Sequence, residues 1–399
     1  MTASERNAAL GLAGIFGLRM LGLFFIMPVF TLYAGDLAGA TPTMIGLAIG
    51  AYGLTQAILQ VPMGMVSDRI GRKPVIIGGL AVFALGSVLA ALSGSIYGVI
   101  AGRALQGCGA IAAAVMALAA DVTRETQRTK IMAIIGMSVG LAFMAALIIA
   151  PTVAYYLGLS GIFWVTAALA VVAMVLLYLF VPVTTERSHD RDIRPGTFGQ
   201  VLRNRDLLRL DFSVMALHTI LTAGFVVLPV VIEHQVGLAR PEHWKVYVPV
   251  MIASVLFLFP AIGVGEAKKI MHRVVAGSVL LLVLGEIGLA DSLFVGPWAV
   301  IIALVVYFTA FNILESSLPS LISRFAPAEG KGAALGVFST CQFIGAFVGG
   351  ALGGALFGRF GAEGVFVFCA IVAAVWFLMA LGLRSPSEAR SAEGQWREA

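Results

Sequence analysis

Long apolar runs, separated by short polar turns, make up most of this 399-residue chain. A helix of about 20 apolar residues crosses a hydrocarbon core about 30 Å thick. The runs are continuous, whereas the strands of a membrane β-barrel alternate apolar and polar positions. The pattern therefore predicts an all-α membrane protein of twelve spans. The predicted spans are residues 9–33, 43–66, 74–93, 95–120, 129–157, 161–182, 208–235, 244–264, 271–290, 295–322, 331–357 and 361–384.

Composition supports this class and excludes a soluble protein. Apolar residues make up 60% of the chain and charged residues 12%, against roughly 25% charged in soluble domains. The first apolar run is too long for a signal-peptide core and lacks a small-residue cleavage site, so we expect an uncleaved helix. All the cysteines lie in apolar runs and indicate neither disulfides nor a metal site: they are Cys108, Cys341 and Cys369.

The distribution of lysine and arginine predicts the orientation. Nearly all of the 26 basic residues lie in the N-terminus, the tail and the loops that follow even-numbered spans. Cytoplasmic loops carry this excess, so both termini are expected in the cytoplasm. The net charge of +5 therefore reports orientation and not nucleic-acid binding. The exceptions are Arg240, Lys245 and Arg359 in the opposite loops and Arg19 and Arg103 within spans.

A single long polar connection follows the sixth span and divides the chain into halves. We predict a six-helix bundle at 1–183, a cytoplasmic linker with a short surface helix at 184–207, a second bundle at 208–385 and a cytoplasmic tail at 386–399. The halves share a pattern, because Pro62 precedes Asp68 by the same spacing as Pro260 precedes Glu266. Parallel six-helix repeats are an architecture of secondary transporters.

Polar residues within spans are the candidates for function, because a charge in hydrocarbon costs about 2.5–3.5 kcal/mol. In the first half, Arg19 lies in span one and Tyr52, Gln56 and Gln60 share one face of span two. We expect these residues, with Gln106 of span four, to line a cavity. Interhelical packing is the alternative for the span-two residues. For Arg19 the alternative is a structural ion pair or the capping of backbone carbonyls.

In the second half, His218, Asn312 and Glu315 are the corresponding candidates. Histidine changes charge near neutral pH, and a carboxylate in apolar surroundings holds its proton more readily. We assign proton or substrate binding to His218 and Glu315 and cavity lining to Asn312. A structural role is the alternative for His218 and Glu315. Glu286 of span nine is expected to be a packing or interfacial residue. Most phenylalanines and methionines are expected to pack the core, and some to line an apolar cavity.

The loop between spans two and three carries acid, base and glycine at fixed spacing. The residues are Gly64, Asp68, Arg69, Gly71, Arg72 and Lys73. This run resembles the major facilitator superfamily signature G-x-x-x-D-R-x-G-R-[RK] at every fixed position. A merely basic hairpin is the alternative. A second run, Arg103-Ala104-Leu105-Gln106-Gly107-Cys108-Gly109, resembles the superfamily signature R-x-x-Q-G-x-G.

The resemblance implies a fold of two six-helix bundles related by a pseudo-two-fold axis, and it implies roles for single residues. It implies a charge network of Asp68, Arg69, Arg72 and Asp121 that faces the start of helix eleven, near Lys331 and Gly332. We call Gly64, Asp68, Arg69, Gly71, Arg72, Lys73 and Asp121 the latch residues. Arg103 is associated with proton coupling in the family. Since arginine keeps its proton, its expected effect is to bias a nearby carboxylate. Structural pairing is the alternative.

Several runs, among them Gly53-Leu54-Thr55-Gln56-Ala57 and Leu318-Pro319-Ser320-Leu321-Ile322-Ser323, resemble the drug:proton antiporter branch of the superfamily. That branch has glycines around a proline in span five, and here only Pro151 of that pattern remains, in Ala150-Pro151-Thr152-Val153-Ala154. A soluble C-terminal domain known in one member of the branch is not expected, because the chain ends soon after span twelve. The chain shows no nucleotide-binding loop, metal-ligand cluster or nucleophile elbow, so we expect neither an enzyme nor a cofactor.

We therefore expect a proton-coupled exporter of small hydrophobic or amphipathic compounds in the bacterial inner membrane. Its partners would be a small-molecule substrate, protons and lipid, without nucleic acid, and it would act as a monomer. A symporter or uniporter for a small metabolite is the alternative within transport. A non-transporting membrane receptor or scaffold is the alternative from another class.

Overall fold

The computed structural model describes residues 3–181, 197–326 and 330–383, and these are helical almost throughout. Three short turns of other helix types occur at Ala34–Asp36, Ile232–Val236 and Arg240–Glu242. The helices are α1 (Ala3–Phe24), α2 (Phe30–Tyr33), α3 (Pro42–Ile70), α4 (Arg72–Leu92), α5 (Ile96–Cys108), α6 (Ala112–Asp121), α7 (Glu125–Phe180), α8 (Thr197–Val201), α9 (Arg205–Val231), α10 (Trp244–Ala267), α11 (Met271–Val295), α12 (Pro297–Phe325) and α13 (Lys331–Ala380).

Within the described residues these helices make the twelve predicted spans. The first span is α1 with α2, and the fourth is α5 with α6, interrupted near Gly109. Both α7 and α13 contain two spans, because the chain reverses direction at one non-helical glycine within each otherwise helical segment. Nine of the described helical segments are long and apolar enough to cross a membrane, and two of them are these double spans. The prediction of an all-α membrane fold is confirmed.

The two reversals are equivalent and reveal the internal repeat. Gly158 has φ 66° and ψ −172°, and Gly361 has φ 68° and ψ −164°. Only glycine adopts this region without strain, because a Cβ would clash with the backbone. The same turn therefore joins spans five and six and spans eleven and twelve. The molecule has two six-helix bundles with pseudo-two-fold symmetry.

Each bundle is held by its own helix pairs. In the first, α1 packs along α7, and α5 packs between α3 and α4; in the second, α9 packs along α13, and α12 packs against α10 and α11. Helix α9 starts at Arg205, three residues before the predicted span, because the Asn204 side chain accepts hydrogen bonds from two backbone N–H groups of its first turn. Most of the predicted linker and the tail lie outside the described residues.

The bundles meet where α3 crosses α13. A Cβ on Gly46 would lie 2.2 Å from the carbonyl oxygen of Gly350, and one on Gly50 would lie 2.8 Å from that of Phe347. Glycine lets two backbones approach closely, as small residues do between membrane helices. This glycine crossing lies toward the end that holds Pro42 and Gly358, which we call the opposite end.

The other end holds the α3–α4 turn and the start of α13, and we call it the basic end. Toward it, the contact between α3 and α13 extends as far as Val61, which lies beside Gly336. Met65 on α3 and Leu335 on α13 are 48% and 40% exposed, respectively, so they do not cover each other. A Cβ on Gly136 or Gly332 would meet nothing within 4 Å. The bundles are thus closed at the opposite end and open at the basic end.

Candidate functional site

Arg19 lies at the centre of a polar cluster in the first bundle. Its Nη2 donates to the Tyr52 hydroxyl at 2.8 Å, to Gln56 Oε1 at 3.0 Å and to the Gly109 carbonyl at 3.1 Å. Gln56 in turn donates to Gln60 Oε1 at 2.8 Å. The break between α5 and α6 leaves the Gly109 carbonyl free to accept, which is how irregular backbone becomes useful inside a membrane.

Arg103 also approaches the ring of Tyr52. Its guanidinium carbon is 5.2 Å from the centre of the Tyr52 ring, and that of Arg19 is 5.9 Å away. Arg103 donates to Gln106 Oε1 at 2.8 Å and to the carbonyls of Ala48 and Ile49 at 3.3 Å. Gln106 donates to Ser87 Oγ at 2.6 Å. The face of an aromatic ring attracts cations, so one ring helps hold two of them.

The two arginines have no carboxylate partner among the described residues, and both are buried, at 1% and 3% exposure. Carbonyls, amides and the Tyr52 ring take the place of a counter-ion. The sequence predicted Arg19, Tyr52, Gln56, Gln60 and Gln106 as cavity residues of the first bundle and Arg103 as a proton-coupling residue. The structure joins them in one hydrogen-bonded and ring-contacting cluster that includes Tyr52. Their side chains face the inside of the bundle in this conformation, so a cavity-lining role stays a prediction.

The second bundle holds a separate polar group around His218. His218 Nε2 is 3.8 Å from Glu315 Oε2 and 2.8 Å from Gln342 Nε2. His218 Nδ1 lies 3.1 Å from the Val214 carbonyl oxygen. The Glu315 side chain is 38% exposed and that of His218 is 12% exposed, so this pair faces the open side.

Gln342 was missed at the sequence level, although it is an isolated polar residue in an apolar span. The same signal had selected Gln56 and Gln60. Asn312 donates to Ser254 Oγ of α10 at 2.8 Å and lies one turn from Glu315. Glu286, expected to be peripheral or packing, is fully buried, and both its carboxylate oxygens lack a hydrogen-bond partner within the described chain.

Aromatic side chains from both bundles lie on the opposite-end side of His218. Phe143 of α7 contacts Phe225 of α9 and Phe311 of α12, with ring centres 5.9 and 6.5 Å apart. Phe24 of α1 packs edge-on against Phe143 at 5.1 Å. Glu315 and His218 therefore lie next to an apolar layer that joins the bundles, on its open side.

The latch residues gather around Arg72 at the basic end. Arg72 Nη1 is 2.5 Å from Asp68 Oδ1, Arg72 Nε is 3.3 Å from Asp121 Oδ2, and Arg72 Nη1 donates to Ser67 Oγ at 2.7 Å. Gly71 has φ 103°, and a Cβ on Gly64 would lie 3.2 Å from that of Ala113. Lys73 donates to the Val181 carbonyl, and Arg69 is exposed.

The expected contact between Asp68 and the start of helix eleven is not made in this conformation. Within residues 330–332, neither Lys331 nor Gly332 forms an ion pair or hydrogen bond with Asp68, whose side chain is half exposed. Asp68, Arg72 and Asp121 of the predicted network are in contact within the first bundle, Arg69 is exposed, and among the described residues no bridge from Asp68 to the second bundle is seen. A bridge of that kind stays a prediction for a conformation closed at the basic end.

Comparison with known proteins identifies the family. The family model described as Major Facilitator Superfamily matches residues 12–350 and 326–398. The chain belongs to the Major Facilitator Superfamily. The chain is also 47% identical over 390 residues to the inner membrane transport protein YajR of Escherichia coli K12, covering 97% of this chain and 85% of that protein.

More distant relatives by sequence and by fold are consistent with this assignment. The chain is 28% identical over 327 residues to the multidrug resistance protein MdtH of Aeromonas salmonicida, with 80% of each chain covered. A solved structure of a bacterial homologue of the lysosomal transporter Spinster, inward-facing and occupied, superposes with a TM-score of 0.79. It has 13% identity and covers 96% of this chain and 97% of that one. The protein is thus a multi-pass membrane transporter of this superfamily.

Proposed function

We propose that this superfamily member is a proton-coupled exporter of small hydrophobic or amphipathic compounds, working by alternating access. The observation that carries the proposal is the His218–Glu315 pair, at 3.8 Å and facing the open side. Two ionisable groups at this distance feel each other's charge, so a proton bound or released by either one changes the charge of the site. The apolar layer of Phe143, Phe225 and Phe311 beside the pair suits an apolar cargo.

The basic end is the cytoplasmic end in this proposal, because basic loops stay inside. Both termini are then cytoplasmic, and the protein lies in the inner membrane, where its relative YajR is also named. The conformation described here is therefore open to the cytoplasm. The latch residues hold the first bundle's cytoplasmic turn, and Asp68 would bridge to helix eleven when the cytoplasmic side closes.

Protons drive the cycle from the outside. In the outward-open state a proton enters and neutralises Glu315 or charges His218, which alters the balance of charge beside the substrate. The bundles then rock about the site, and the proton leaves to the cytoplasm. Arg19 and Arg103 keep the first bundle positive throughout, and Arg103 contributes to proton coupling by its long-range field.

Export is favoured over import by the similarity to MdtH, which is named as a multidrug resistance protein. The decisive test uses purified protein in vesicles with an imposed pH gradient, with ethidium as the first lipophilic probe. Thermal stabilisation by a compound panel would select further probes.

Replacing Glu315 with glutamine is expected to abolish dye transport driven by the pH gradient. Transport of the dye down its own concentration gradient should remain. The glutamine keeps the shape of the neutral acid and cannot release a proton. Proton movement against the dye supports antiport, movement with it would indicate a symporter, and dye transport without protons a uniporter. Full proton-driven transport by Glu315→Gln would refute the assignment.

A further inference from the structure

Gln342 of α13 is hydrogen-bonded to His218, and the geometry determines which group donates. His218 Nδ1 lies beside the Val214 carbonyl oxygen at 3.1 Å, and a carbonyl can only accept. Nδ1 therefore carries a hydrogen whether the ring is neutral or charged. The neutral ring has a bare Nε2, so the contact at 2.8 Å is a hydrogen bond donated by Gln342 Nε2.

Protonation of the ring makes this arrangement impossible. Nε2 then carries a hydrogen and becomes a donor, and it faces an amide NH2 group that also only donates. Gln342 must rotate its amide by about half a turn to present Oε1. Otherwise the ring must turn its new hydrogen to Glu315 Oε2, now 3.8 Å away, and release Gln342.

We propose that Gln342 is a positioning residue. It changes its hydrogen bond when His218 is protonated, and this change alters the contact between the bundles. This inference rests on the proposed function only in taking His218 as part of the proton site. The next residue, Phe343, packs edge-on against Tyr52 of the first bundle, with ring centres 6.0 Å apart. A Cβ on Gly53 would lie 2.6 Å from the Phe343 carbonyl oxygen, so the backbone here touches α3.

The consequence is a short connection between the polar groups of the two bundles. Tyr52 accepts from Arg19 and lies under Arg103, so a shift of Phe343 reaches the arginine cluster directly. Gln342 lies on α13, and α13 is already in van der Waals contact with α3. A rotation of the Gln342 amide therefore changes how α13 packs against α3. The proton site and the bundle contact are therefore one residue apart on the same helix.

Among the described residues, the ionisable groups near the His218 ring are few. Glu315 of α12 faces it, Cys341 of α13 adjoins Gln342 in the chain, and Asp211 lies two turns before His218 on α9. On the other elements that pack against α9, Tyr33 of α2 lies under Arg240 and Tyr52 of α3 binds Arg19. Within the described residues, neither these tyrosines nor the turn at Ile232–Val236 hydrogen-bonds to the ring.

The first test follows the amide and the ring together in the full chain in nanodiscs. Glutamine side chains carry 15N and histidine rings carry 13C; Gln342→Met identifies the amide signals, and His218→Asn identifies the ring signals. We expect the amide signals to shift at the same pH as the ring, and to lose that shift in His218→Asn. Amide signals that stay constant while the ring titrates would overturn the proposal.

The second test changes what residue 342 can do. Gln342→Glu presents only acceptors, so the ring should take up its proton at a pH higher by about one unit or more. Ser316→Asp is the matched control, because it adds a carboxylate beside Glu315 without touching the ring, and its effect should be less than half as large. Equal shifts in the two variants, or no shift in Gln342→Glu, would overturn the proposal.

These titrations need no transported substrate. The predicted titration behaviour of Gln342 and His218 can therefore be observed even if Glu315→Gln transports normally, and can be absent even if Glu315→Gln is inactive. The role of Gln342 and the proposed transport function are thus tested separately. If Gln342→Glu does not fold, the comparison of amide and ring signals in the wild-type chain still decides.

Discussion

Tyr52 shows how a single residue can accommodate two buried positive charges in a membrane. Its hydroxyl accepts from Arg19 at 2.8 Å, and its ring faces both Arg19 and Arg103. A charge removed from water without partners costs several kcal/mol, and here hydrogen bonds and the ring quadrupole offset that cost. The rigid ring also sets the spacing of the two guanidiniums, which repel each other.

Tyr52→Phe is expected to lower the free energy of unfolding by about 1.5–3 kcal/mol, because it removes a buried hydrogen bond from a charged donor and keeps the ring. Denaturation by sodium dodecyl sulfate in mixed micelles measures the change. Tyr97→Phe is the control, since Tyr97 is 61% exposed. Equal stability of the Tyr52 and Tyr97 variants would show that the hydroxyl contributes nothing.

At the scale of elements, the glycine turns in α7 and α13 determine how the helices reverse. Gly158 and Gly361 adopt nearly the same unusual backbone angles at equivalent places in the two halves. No side chain fills the space around either residue, so the requirement comes from the backbone and not from packing. The reversal directs each bundle's last helix back along its neighbour.

Gly361→Ala should destabilise the protein by about 1–3 kcal/mol, because alanine is strained at this φ and ψ. Gly277→Ala is the control. Gly277 lies within α11 with open space around its Cα, and alanine there should be neutral or stabilising by up to about 1 kcal/mol. Chemical denaturation of both variants gives the comparison, and a change of the same sign in both would contradict the argument.

At the scale of the whole molecule, the glycine crossing holds the opposite end closed. Gly46 and Gly350 touch through backbone atoms, so a single added methyl group cannot be accommodated without moving a helix. Bundles that rock about a central site open at one end as they close at the other. Strain at the opposite end should therefore appear as closure at the basic end.

Gly46→Ala is expected to bring α3 and α13 together at the basic end. With native cysteines replaced, cysteines at Met65 and Leu335 should cross-link poorly in the parent chain and several-fold better with Gly46→Ala. A pair at Gly64 and Ala113, within one bundle, should cross-link equally in both, because a Cβ on Gly64 lies 3.2 Å from Ala113 Cβ. An unchanged Met65–Leu335 yield would argue against coupled rocking.

Hydropathy and turn chemistry determined the twelve spans and the repeat. A stretch of apolar residues must form a helix in lipid to satisfy its backbone, so the span count depends on local sequence alone. The same is true of the Arg72 cluster, since Asp68 and Arg72 lie one helical turn apart. The sequence also identified His218, Glu315, Arg19 and Arg103 as costly polar residues that need partners.

Only the tertiary structure decided which partners these residues have. His218 and Gln342 are 124 residues apart in the chain and 2.8 Å apart in space. Contacts of this kind depend on how each helix is rotated about its axis and where close-packed glycines let helices cross, and no local pattern encodes either. Both arginines likewise point into the bundle and contact Tyr52. Arg19 also donates to the Gly109 carbonyl, which is available because the helix is broken between α5 and α6, and composition does not reveal such an acceptor.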